Sequence, residues 1–85
     1  MLDLIKQRIE TQLDTSLVQA NGESGHFDVL VVGNCFQGQS PVQRQKLVYA
    51  TLNDKIQSGE IHAISIKAYT PEQWETQRHL QVGGA

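Results

Sequence analysis

Leu2, Ile5, Ile9 and Leu13 recur at helical spacing with Asp3, Lys6, Gln7, Arg8 and Gln12 between them. This pattern predicts an amphipathic first helix ending near Asp14. Leu17 and Val18 in SLVQA predict a short strand, the turn-rich segment NGESG a loop, and HFDVLVVG a second strand. The two strands form a hairpin whose loop is expected to be longer and more flexible than a tight turn requires. Phe27, Val29 and Val31 alternate with Asp28, Leu30 and Val32. One face of the strand is therefore apolar and the other mixed, so the sheet is expected to be covered on one side.

NCFQGQ carries turn residues, and Ser40-Pro41-Val42-Gln43 offers an N-cap serine, a proline in the first turn and a capping-box glutamine. The helix starting there would place Val48, Leu52 and Ile56 on a stripe at steps of four. Val42 and Tyr49 would flank the stripe, and Gly59 would cap its end. IHAISIKA predicts the third strand. Thr70-Pro71-Glu72-Gln73 repeats the start signal and opens a short last helix bearing Trp74, while QVGGA has no core pattern. The order helix, strand, strand, helix, strand, helix gives an α+β fold. A helical crossover after a hairpin makes the third strand parallel to the second, so the sheet is a small mixed three-stranded one with helices on one face. A single domain over residues 1–80 and a flexible tail over 81–85 are expected.

The 85 residues suit one domain with a modest core, and 39% hydrophobic with 19% charged residues is a globular composition. A net charge of −2 gives no general attraction to phosphate backbones or acidic membranes. No apolar run reaches bilayer length and MLDLIKQRIE lacks a leader pattern, so a cytoplasmic protein is expected. The one cysteine excludes an internal disulfide. Cys35, His26, His62 and His79 are also too few for an iron-sulfur cluster held by four thiolates, so a metal centre would need ligands from a partner.

His62 is the residue that packing explains least. It shares a face by alternation with Ile64 and Ile66, and can be read either as a half-buried histidine satisfied by a backbone carbonyl or as a ligand or acid-base group on a rigid strand. His26, where a glycine-bearing loop meets the second strand, is either a solvated loop residue or a ligand that the loop delivers. Cys35 reads as structural, having no cationic cluster beside it, and His79 as a surface residue. No phosphate-binding glycine loop, HExxH or CxxC motif is present, and Asp54 and Glu60 read as solvated carboxylates, so no enzyme is expected. Arg44, Lys46, Lys55 and Lys67 would make at most a modest basic patch. The element order is compatible with a KH-like domain, although the nucleotide-clamping GXXG loop is expected to be missing, and a nucleic-acid-binding transcriptional regulator is the alternative.

GHF, VVGNCFQGQSPVQRQKLVY and IHAISIKAYTPEQW together resemble the BolA-like family, specifically its YrbA/IbaG-like branch, from the first helix to about Leu80. The resemblance implies a fold similar to class II KH domains, no enzymatic activity, and a monothiol glutaredoxin of the CGFS type as partner. It implies a bridging [2Fe-2S] cluster shared with the glutaredoxin cysteine and glutathione, with none in the isolated protein, and a role in iron-sulfur trafficking or in iron, redox or stress responses. The family's strand histidine falls on His62, and its loop ligand, a histidine or cysteine, on His26. Imidazole in place of thiolate removes negative charge, raises the potential and makes binding sensitive to protonation. A homodimer is a further option, and no membrane association is implied. Where many relatives carry an Arg-His-Arg-like run, this chain has Arg44-Gln45-Lys46, which weakens any nucleic-acid role for that helix.

Overall fold

The computed structural model describes residues 1–83. Helix α1 (Leu2–Gln12) leads into strands β1 (Leu17–Glu23) and β2 (His26–Val32), followed by a 3-10 turn at Asn34–Phe36. Helices α2 (Pro41–Thr51) and α3 (Asn53–Gln57) then cross to β3 (Ala63–Tyr69), which passes into α4 (Pro71–Gly83). The sheet order is β1-β2-β3, with β1 antiparallel and β3 parallel to β2, as the alternation and the helical crossover require. The arrangement is α+β and compatible with a class II KH-like description.

Alternation decides which strand residues face the helices. Val18, Phe27, Val29, Val31 and Ile66 pack with Ile5 and Ile9 of α1 and with Val48 and Leu52 on the crossover, and Phe36 and Ile61 close the cluster. Residues of the opposite parity, including Gln19, Asn21, Asp28, Leu30, Ser65 and Lys67, line an open depression on the other face of the sheet. Both expected capping boxes form. Ser40 and Gln43 exchange hydrogen bonds of 3.2 and 2.8 Å, and Thr70 and Gln73 bonds of 3.3 and 3.0 Å.

Several local expectations are corrected. The hairpin loop is a two-residue turn, with Glu23 directly opposite His26. Ser24 and Gly25 both adopt positive φ, 56° and 83°, the combination that matches the twist of a tight hairpin, so β1 continues through Asn21–Glu23. Gly22-Glu23-Ser24-Gly25 does have GXXG spacing, but its glycines serve this turn. The middle helix, expected to be continuous, breaks at Leu52 (φ −122°, ψ 10°). There the Leu52 and Lys55 N–H groups bond three residues back, to Tyr49 and Leu52. This frees the Thr51 carbonyl, which accepts from Arg8 Nη1 at 3.2 Å. Val42 and Tyr49, expected beside the apolar stripe, are exposed, at 63% and 38%. Finally, α4 is a helix of 13 residues rather than a short one. Helical backbone thus covers 81–83 of the expected tail, and 84–85 lie outside the described residues.

Arg8 also forms a two-pronged ion pair with Asp54, at 2.7 and 3.0 Å, which ties α1 to α3. The guanidinium hydrogen bond holds the Asp54 carboxyl well below its usual 3.8, at about 2. Asp54 therefore stabilises the fold fully above pH 3.8, and the contribution is lost as pH falls through about 2. Thermal melts of the wild type and Asp54→Asn should show a wild-type advantage near neutral pH that shrinks below pH 4 and vanishes near pH 2.

Candidate functional site

His26 is the first residue of β2, immediately after the turn. It shares parity with exposed Asp28, while its neighbour Phe27, 6% exposed, enters the core. The imidazole therefore belongs to the open face of the sheet. Beside it is an open depression of about 270 Å³ lined by His26, Phe27, Asp28, Ala63, Ile64 and Ser65, along the start of the parallel pair.

His62 lies just before β3, outside the strand, and is exposed. The expectation of a half-buried histidine on the face of Ile64 and Ile66 is thus corrected, because the chain bends before β3 begins. Its backbone is nonetheless fixed. The N–H groups of His62 and Ala63 both donate to the Gly25 carbonyl, at 2.8 and 3.0 Å. The approach to His62 is pinned as well: Ile61 is 3% exposed and donates from its N–H to the Lys55 carbonyl at 3.1 Å. Glu60 accepts from Ser58 Oγ at 2.9 Å and from Lys55 Nζ at 3.1 Å, and these bonds hold its carboxyl below the usual range. Glu60 and Asp54 are exposed, as expected of solvated carboxylates, and each also makes an ion pair, with Lys55 and Arg8 respectively.

The two histidines meet. Their ring centroids are 6.3 Å apart at an interplanar angle of 31°. Both residues are exposed, and imidazole nitrogen is a donor type suited to borderline metal ions such as iron and zinc. A cluster of three or more His, Cys, Asp or Glu residues able to hold a metal is absent among the described residues. Among the described residues the two imidazoles therefore stand as a pair, without a third such side chain beside them.

The remaining candidates lie elsewhere. Cys35 is in the 3-10 turn beyond the far end of β2, packed against the core. Burial, together with the charge of Asp14, pushes its thiol up. His79 on α4 is 69% exposed and lies 3.4 Å from Glu75 Oε1. Of the four basic candidates, Arg44 and Lys67 line a common open depression, and Arg44 and Lys55 are engaged within the fold. Arg44 donates to the Gln39 carbonyl, the Ala68 carbonyl and Gln73 Oε1 at 3.0, 3.2 and 2.7 Å and lies over the Phe36 ring, while Lys55 is paired with Glu60. Sequence reasoning missed Gly25 as a site residue because NGESG reads as a loose loop. The Ser-Gly pair between Glu23 and His26 was the signal for a two-residue turn.

Taken together, the fold and the site define a small α+β module that presents two imidazoles at one end of a mixed sheet. The chain belongs to the BolA-like family, whose model it matches over residues 4–73. Among its relatives is the acid stress protein IbaG of Escherichia coli, 41% identical over 76 residues covering 89% of this chain and 90% of IbaG. A BolA protein homologue from Coxiella burnetii superposes with a TM-score of 0.73 at 43% identity, covering 84% of this chain and 91% of that one. The BolA domain of SufE1 from Arabidopsis thaliana gives 0.74 at 34% identity, over 84% of this chain and 92% of that domain.

Because partial burial and the charge of Asp14 disfavour its thiolate, alkylation of Cys35 by iodoacetamide should reach half its maximal rate at a higher pH in the folded protein than in urea. A folded-state midpoint at or below the urea value would contradict the burial argument.

Proposed function

We propose that this protein is a non-enzymatic partner of a monothiol CGFS glutaredoxin and supplies His62 and His26 to one iron of a shared [2Fe-2S] cluster, in iron-sulfur trafficking or iron and redox regulation. The glutaredoxin cysteine and a glutathione thiol would hold the other side. The observation that carries this reading is the approach of the two imidazoles to 6.3 Å on backbone anchored by one carbonyl.

The donor set fits the group, since two imidazoles on one iron are an established ligation for such clusters and raise their potential. When bound, the cluster would supply a one-electron couple. The chain's own part would be to present two imidazoles at a solvent-accessible edge where a second protein can complete the coordination. A ligating imidazole usually donates its other N–H to an acceptor that fixes the ring. Here that acceptor would come from solvent or from the glutaredoxin, and the ring orientations would be completed on docking. Family membership and the name of the IbaG relative, an acid stress protein, support a regulatory role. The occurrence of a BolA domain within SufE1 supports a module that works through other proteins. The nucleic-acid alternative has less behind it, because Arg44 and Lys55 are engaged within the fold.

Co-purification with a CGFS glutaredoxin, iron, sulfide and glutathione tests the reading. The wild type should give a coloured heterocomplex with a visible circular dichroism spectrum that changes in His62→Ala and in His26→Ala. Spectra of both variants identical to wild type would remove the ligand assignment.

A further inference from the structure

Gly25 touches the histidine pair in three ways. It precedes His26 in the turn, and its carbonyl accepts the N–H groups of both His62 and Ala63. Its bare α-carbon is also the surface against which the His62 ring lies. A Cβ built at Gly25 would fall 3.2 Å from His62 Cγ and closer still to Cδ2. The glycine is buried, with φ at +83°. No other residue type offers both a left-handed backbone at low cost and room for that ring.

We infer that Gly25 is the positioning residue of the histidine pair, so that the hairpin turn sets the spacing of the two rings. This rests on the ligand reading above for its purpose, but the geometry can be tested without a cluster. Any Cβ at position 25 would push the His62 imidazole away from the turn and widen the gap to His26, while leaving both ligands in the chain. Gly38 provides the control. It has a similar left-handed backbone, φ +73°, and a methyl group added there would meet nothing within 4 Å, so Gly38→Ala carries comparable backbone strain without touching a histidine.

The experiment uses the full chain in a His79→Gln background, which removes the exposed imidazole on α4, with nuclear Overhauser contacts between the imidazole rings as one readout and Ni²⁺ affinity as the other. The parent protein should show a contact between the His26 and His62 rings and one from the His62 ring to the Gly25 α-protons. Gly25→Ala should lose the ring-to-ring contact and bind Ni²⁺ on the order of 10- to 100-fold more weakly, the range for residues that orient ligands. Gly38→Ala should keep both. A ring-to-ring contact and Ni²⁺ affinity that survive Gly25→Ala, or that fall equally in Gly38→Ala, would overturn the assignment. If Gly25→Ala does not fold, inserting one glycine after Ser24 decides the matter. That longer turn should lose the ring-to-ring contact, and its retention counts against the proposal. The two readings fail separately: a parent Ni²⁺ affinity no greater than that of the His26→Ala/His62→Ala double variant removes the ligand reading, whereas a ring contact indifferent to position 25 removes the role of Gly25.

Discussion

A single backbone carbonyl, that of Gly25, accepts two N–H groups and so begins the parallel pairing of β2 with β3. From that start the register follows, His26 against Ala63, Phe27 against Ile64 and Val29 against Ile66. The register puts Phe27, Val29 and Val31 of β2 together with Ile64 and Ile66 of β3 on the face that α1 and α2 cover. A slip of one residue would turn every one of them outward. The same bond brings the end of the long crossover back to the hairpin and sets the two imidazoles beside each other. Core packing and site geometry therefore have a common origin in the turn.

At the opposite end of β2 and β3 the linking side chain is Arg44. Its guanidinium joins the segment after the 3-10 turn, the end of β3 and the capping glutamine of α4. Gln45 adds a bond of 2.8 Å to the Ile66 carbonyl. These two side chains occupy carbonyls along β3, a strand at the edge of the sheet. Occupied acceptors make an edge a poorer template for pairing with another chain. The Arg44-Gln45-Lys46 run thus has a structural use for its first two residues.

The strands, their order, the one covered face and both capping boxes were legible in the chain because each depends on local periodicity or on a cap of four residues. The tight hairpin was less so. Ser24 lies in the left-handed region, which glycine favours and serine visits rarely, so NGESG looked loose although it is ordered by the strands around it. The break at Leu52 was invisible because Val48, Leu52 and Ile56 keep helical spacing across it, and the group that takes up the freed carbonyl is Arg8, more than forty residues away in the chain. His62 was singled out as the residue packing explains least, and it lies exposed before β3. Its position off the strand and its proximity to His26 depend on where the crossover returns, which no local pattern records.

Open parallel sheets usually bind ligands beyond the carboxyl ends of their strands, where the loops diverge. Here the histidines sit at the amino ends of β2 and β3, while the carboxyl ends are occupied by Arg44 and its partners. The amino-end pole thus joins presentation of the imidazoles to the hydrogen bonds that start the sheet, so the exposed side chains at 26 and 62 are open to exchange while the turn glycine between them is not.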